Sequence, residues 1–289
     1  MKTLKLNVIS LCLWGLLVVL LGSCDIINPE EPTPAYLYIE PFSLTTDLES
    51  EGTDDEKITE AWVFIDGAYQ GAYSLPALVP ILASGDTEVR VEAGVRENGL
   101  SATPDINPFF EPFRVQLNLA PTEIDTIRPA TRYVDNAKFA FIEDFEPNRV
   151  RIFTDTIIGP GLSLTQTGAF EGQYAGTLMV TKDLPLMEVA SRLSYSGLLD
   201  GGVYAYLEVN YRAEAPVIFG IIAPESGNYN RYYDPGFLPK DSWNKIYFNL
   251  APVIFNSREE EYQIAFQALL PTDRDSARIW IDNIKLVHF

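Results

Sequence analysis

Arg278-Ile-Trp-Ile-Asp-Asn-Ile-Lys-Leu-Val-His-Phe289 closes the chain as a β-rich run, and Ala137-Lys-Phe-Ala-Phe-Ile-Glu-Asp-Phe-Glu146 opens the same half in the same style. Between these bookends lie strand-like runs at 151–155, 162–167, 174–181, 203–212, 216–222, 245–250 and 262–270, with glycine or proline in most of the gaps. About eight or nine short strands with no convincing amphipathic helix predict an antiparallel sandwich. Trp243 and Trp280 sit inside alternating runs and are expected in its core, as is Trp62 in the first half.

Working outward, the first half reads as a smaller β-domain. A strand around Tyr36 and Tyr38 ends at Pro41, and a loop from Asp47 to Glu56 carries six carboxylates. Their spacing does not match a calcium loop, so the loop is expected to be solvated. The run from Ile58 to Gly71 holds Trp62 and Phe64 and turns at Asp66-Gly67, a strong hairpin signal. Val89 and Val91 alternate with Arg90 and Glu92 in a further half-buried strand, Phe109–Leu119 supplies another, and Thr122–Arg132 the last. The fold class is therefore all-β: two antiparallel β-sandwich domains, a small one over 35–134 and a larger one over 135–289.

The N-terminus says where the chain lives. Lys2 and Lys5 precede an apolar run from Val8 to Leu21, which reads as a cleaved signal peptide over 1–23 and is too short to be taken first as a spanning helix. Leu21-Gly22-Ser23-Cys24 resembles the bacterial lipobox. That resemblance implies a lipid on Cys24, a membrane anchored through it, and an outer-membrane lipoprotein of the cell envelope. Residues 24–34 contain three prolines and read as an extended tether. The acidic residues behind Cys24 are similar to export signals of some surface lipoproteins, although the sequence leaves the membrane face open. The only cysteines are Cys12 and Cys24, so the body of the protein has no thiol for a disulfide and must cohere by burial.

A formal charge of −19, or −21 once Lys2 and Lys5 leave with the signal, repels phosphate backbones and argues against nucleic acid. The single histidine, His288, leaves no Ser-His-Asp or Cys-His arrangement and no zinc ligand set, so no enzyme is expected.

Two further resemblances bear on function. Trp62 to Val95, with its Ile-Asp-Gly turn and later Gly-Asp, resembles the PEGA-type small β-sandwich, which implies a structural or peptidoglycan-proximal spacer without chemistry. Asp144-Phe-Glu146, Phe170-Glu-Gly-Gln-Tyr-Ala-Gly176, Ser242-Trp-Asn-Lys-Ile-Tyr-Phe-Asn-Leu250 and Trp280-Ile-Asp-Asn-Ile-Lys-Leu286 resemble, in order, the galactose-binding-like jelly roll of many carbohydrate-binding modules. In that family an acidic residue from each of the opening and closing strands commonly holds a structural Ca²⁺. The matching positions are Glu143 or Asp144 and Asp282; the alternative is that Asp282-Asn283 is a bulge and Asp144 a surface residue.

Sugar binding needs aromatic faces beside hydrogen-bonding side chains. The candidate loop is Gly227–Gly236, with Tyr229, Arg231, Tyr232, Tyr233 and Asp234; alternatively it is a strand, or a plug at the sandwich end. The expected protein is a lipid-anchored envelope binder of a polysaccharide. The alternative is an assembly lipoprotein that binds another envelope protein and no sugar.

Overall fold

The computed structural model describes residues 31–102 and 104–289. The signal segment and Cys24 lie outside the described residues. The first unit contains β1 (Ala35–Ile39), β2 (Ser43–Thr45), β3 (Glu60–Ile65), β4 (Ala68–Ser74), β5 (Ala77–Ile81), β6 (Gly85–Arg96), β7 (Pro104–Ile106), β8 (Phe113–Leu119), β9 (Ile124–Ile127) and β10 (Ala130–Arg132). One sheet runs β4-β3-β6, with β7 and β8 both pairing β6; a second runs β5-β1-β9, beside the pair β10-β2. The Asp66-Gly67 turn has positive φ at both residues, 47° and 80°, as a tight hairpin requires. Not every pairing is antiparallel as expected: β1 with β9 and β2 with β10 run parallel. Parallel neighbours need a long connection, and here most of the domain lies between them.

The second unit contains β11 (Lys138–Glu143), β12 (Asp155–Ile158), β13 (Ser163–Thr165), β14 (Ala175–Thr181), β15 (Leu186–Ala190), β16 (Ala205–Ala213), β17 (Val217–Glu225), β18 (Asn228–Phe237), β19 (Lys240–Asn249), α1 (Ala251–Ser257), β20 (Gln263–Leu269) and β21 (Ser276–His288). Sheet I has the order β13-β14-β21-β16-β19, and sheet II the order β12-β15-β20-β17-β18. Between them Phe219, Phe248, Phe266, Ile279 and Ile281 fill the core. The chain is thus a nearly all-β protein built from sandwiches.

β21 organises sheet I. On one side β14 pairs with Ser276–Ile281 and β11 with Ile284–His288; on the other lies β16. Asn283 sits where β14 gives way to β11, at φ 46°, so Asp282-Asn283 forms a bulge. In the second unit, α1 and β15 escaped the sequence reading for clear reasons. α1 spans only seven residues, too few for a helical period to show, and β15 is five residues with a glutamate in its middle.

Trp62, Trp243 and Trp280 are half-buried rather than core. Strand alternation explains it. The inward positions on β21 are Ile279 and Ile281, which puts Trp280 on the outer face, 4.0 Å from the Arg212 guanidinium. Trp62 likewise stacks on Tyr69 across the hairpin.

The middle of β16 and β21 is buried on both faces, because the first unit covers the outer face of sheet I. Tyr206, Tyr247 and Val287 belong to the first unit's core, where Phe109 meets Tyr206 edge-on and Phe110 meets Tyr247. The acidic loop is solvated over residues 47–50, as expected, but its second half enters this contact. Gly52 and Thr53 are buried, the Thr53 carbonyl accepts a bond from Lys285 Nζ at 2.6 Å, and Asn210 donates to Asp55 at 2.7 Å. Asp47, Glu49 and Asp54 stay exposed, whereas the half-buried Glu51 and Asp55 lie near enough to Lys285 to favour its charged form.

Glu208, Lys245 and Lys285 form the centre of that interface, each no more than 3% exposed. Tyr133 OH donates to Glu208 Oε1 at 2.7 Å. Lys245 Nζ stands 3.2 Å from Glu208 Oε2, an ionic contact lying off the hydrogen-bond direction. Burial raises the Glu208 pKa, but Lys245 and Lys285 outweigh it and hold the carboxyl below its ordinary range. Burial pulls Lys285 down to about 8, with Glu208 opposing. Removing the anion leaves two buried ammonium groups, so Glu208→Gln is expected to cost about 3–5 kcal/mol at neutral pH. Lys285 has a folded pKa below its unfolded one, so the unfolded chain binds more protons from about pH 8 to 10.5. Without Glu208 the Lys285 pKa falls further, so the loss in Glu208→Gln should shrink as pH rises toward about 8 and Lys285 becomes neutral, whereas Lys285→Met leaves Glu208 paired with Lys245 and should cost less than Glu208→Gln at pH 7. Urea unfolding at pH 7 and 9 measures both.

Candidate ligand-binding face

Gly227–Gly236 is not a loop but most of β18, an edge strand of sheet II. Alternation divides the five residues. Tyr229, Arg231 and Tyr233 share the outer face, whereas Tyr232 turns the other way, packs on the main core and donates to Glu259 at 2.8 Å. Asp234 stands exposed at a bulge, where the register with β17 shifts.

The outer face is organised around a residue that the sequence reading missed. Glu188, in the middle of β15, has a side chain with no exposure. Its carboxylate accepts from Arg231 Nε and Nη2, both at 2.9 Å to their nearer oxygen, from Tyr233 OH at 2.7 Å and from Gln267 Nε2 at 2.9 Å. Burial alone would raise its pKa; the bonds from Arg231, Tyr233 and Gln267 reverse that and keep it lowered. The same pairing raises the Arg231 pKa.

Small residues make the room. In register across the sheet, Ala190 lies beside Ala265, Ala265 beside Gly220, and Gly220 beside Tyr233. A Cβ at Gly220 would meet the Tyr232 carbonyl at 2.0 Å, so only glycine fits there. Tyr233 and Tyr229 pack over Ala190, Ile222 and Ala265, and the Tyr233 hydroxyl reaches Glu188. Arg231 lies beside Tyr229, its guanidinium 5.9 Å from the ring, and Nη1 bonds the Tyr229 carbonyl. Gln263 donates to Asp155 and to the Ser191 carbonyl, closing the far side of the face. The result is an apolar strip with two phenol rings and a guanidinium fixed in place. The legible signal was the lone acid in the apolar run Leu186-Met-Glu-Val-Ala190, since a charge inside such a strand must find a partner.

The three carboxylates expected to bind calcium are each engaged elsewhere. Glu143 accepts from the backbone of Phe145 and Ile152 and pairs with Arg151. Asp144 pairs with Arg149 at 2.6 Å. Asp282 accepts from the backbone N–H groups of Phe170, Glu171 and Asn283, and burial pushes its pKa up to about 7. Among the described residues no group of three Asp, Glu, His or Cys side chains comes together as a metal site needs. The donors do not fit a bound calcium. His288 is half-buried at the end of β21, and burial lowers its pKa, which favours the neutral imidazole.

No protein-family model matches the chain, and no curated protein is similar to it. Solved structures similar to the chain include three carbohydrate-binding modules. The family 29 carbohydrate-binding module CBM29-2 is 18% identical, covers 53% of this chain and 85% of its own, with a TM-score of 0.35. The family 30 carbohydrate-binding module of the cellulosomal cellulase Cel9D-Cel44B of Clostridium thermocellum is 11% identical, with coverages of 50% and 96% and a TM-score of 0.39. The CBM22-1 xylan-binding domain of Xyn10C from Paenibacillus barcinonensis is 14% identical, with coverages of 54% and 96% and a TM-score of 0.33.

Glu188→Gln should lower stability by about 1–3 kcal/mol at pH 7, the range for a buried hydrogen-bonded charge. The Glu188 pKa is lowered on folding, so its contribution is complete above the unfolded value and is lost as pH falls through the folded one. The difference between wild type and variant should vanish in acid urea titrations. For the calcium question, the melting temperature should be the same with EDTA as with excess Ca²⁺; a drop in EDTA would mean that the observed carboxylate pairings open to take the ion.

Proposed function

We propose that this is a non-enzymatic, lipid-anchored protein of the cell envelope that binds polysaccharide on the outer face of sheet II. The single observation that carries the reading is the pre-organised set of Tyr229, Arg231 and Tyr233, the last two locked by fully buried Glu188. Pyranose rings present C–H faces that rest on aromatic surfaces, and their hydroxyls need fixed donors and acceptors beside those surfaces. A guanidinium already held by a carboxylate loses little freedom on binding, so the contact costs less than one made by a mobile arginine. An extended sheet face, open along the strand direction, suits a linear chain of sugars better than a single small molecule.

The anchor is the lipid proposed on Cys24, and residues 25–34 would hold the domains away from the membrane. Glycan-array binding by the protein, followed by calorimetry on the best polysaccharide, tests the reading. Arg231→Ala and Tyr233→Phe should each weaken binding about tenfold or more, the effect of losing one good polar contact. Binding to no polysaccharide, or binding unchanged in both variants, would remove this function. In that case capture of a stoichiometric envelope protein would favour the assembly role.

A further inference from the structure

Between the two units, away from the sheet II face, lies a cleft of about 450 Å³. One wall comes from the first unit, with Lys57, Arg96 and Leu100. The other comes from the second unit, with Phe237, Leu238 and Lys240. The chain has 40 acidic and 21 basic residues, yet the fifteen residues lining this cleft include four cations and no carboxylate. A positive cleft in a strongly negative protein collects anions, because low-dielectric walls focus the field there.

Two of these cations have work already. Arg96 pairs with Glu60 at 3.0 Å, and Lys245 faces Glu208. Lys57 and Lys240 have no carboxylate within ion-pair distance among the described residues; Lys57 Nζ donates only to the Asn244 side chain. Burial, then Lys240 and Arg96, pull the Lys57 pKa below the ordinary lysine range, so like charges face one another across the space without relief. The apolar side of the cleft is equally distinct. Phe237 stacks flat on Tyr211, their centroids 3.8 Å apart, while Leu100 and Leu238 stand exposed at 58% and 74% on the two walls. The volume lies within the range of small-ligand sites, which combine apolar walls with a few charged groups.

We infer that this cleft binds a small organic anion, its carboxylate or phosphate held between Lys57 and Lys240 and its body against Leu100 and Leu238. The site is separate from the sheet II face and does not depend on polysaccharide binding there. Calorimetry on the full chain in detergent, at low salt, would use three size-matched probes: glucuronate, glucose 6-phosphate and glucose. At least one anion should bind while glucose does not, and the affinity should fall as salt screens the exposed lysine. Binding of glucuronate alone points to a carboxylate ligand, of glucose 6-phosphate alone to a phosphate, and of both to charge as the main determinant. The double variant Lys57→Gln/Lys240→Gln should weaken the bound anion tenfold or more, as loss of charge-assisted contacts does. Both residues lie on the cleft walls, so its melting curve should stay close to wild type, and Arg231→Ala should leave anion affinity unchanged. Absence of anion binding, equal binding of glucose, or an affinity unaltered in the double variant would overturn the inference.

Discussion

A carboxylate, two ammonium groups and a phenol buried between two β-units set the architecture of this protein. Glu208 and the lysines at 245 and 285 lie on the outer face of sheet I, a position that in a free-standing sandwich would meet water. The charges tolerate burial because they face one another and because the first unit brings Tyr133 to Glu208 and the Thr53 carbonyl to Lys285. Each unit therefore completes the other's polar requirements. Around this centre Tyr206, Tyr247 and Val287 continue the apolar core of the first unit into the second, so the two domains share a packed boundary. A polar centre inside an apolar seam also disfavours other dockings, since any sliding of one unit would leave a charge without its partner.

The same logic operates on the far side of the second unit at Glu188, with a different outcome. There the buried carboxylate has no domain covering it; instead it gathers Gln267 from the adjacent β20 and Arg231 and Tyr233 from β18 at the edge of the sheet. One buried anion joins domains, and the other arranges a surface. Both depend on a charge placed where strand alternation points it away from the aromatic core.

Much of this was legible in the chain. The closing run Arg278–Phe289 is the central strand, the Asp66-Gly67 hairpin forms with the expected positive φ values, and the runs 174–181, 203–212 and 262–270 are strands within a few residues of their read limits. What was hidden has physical causes. The tyrosine-rich segment looked like a loop because glycine and proline bound it, and edge strands tolerate both. The acidic run looked solvated because the lysines that receive it lie about two hundred residues downstream. The tryptophans looked like core because alternation tells which residues share a face, but not which face is inside. Of the candidate site, the side chains on β18 were readable and their organiser Glu188 was not, since a single acid in a short strand does not announce its partner.

The position of β21 also bears on how the chain is made. This strand is the axis of sheet I, flanked by β14, β11 and β16, all of which precede it. Until Ser276–His288 has been synthesised, those strands have no common neighbour, and the pairing that unites them spans more than a hundred residues. Such a sheet closes late, because its decisive contacts are non-local. A chain still emerging from the ribosome would carry an incomplete sandwich, its strands of sheet I waiting for the axis that only Ser276–His288 supplies.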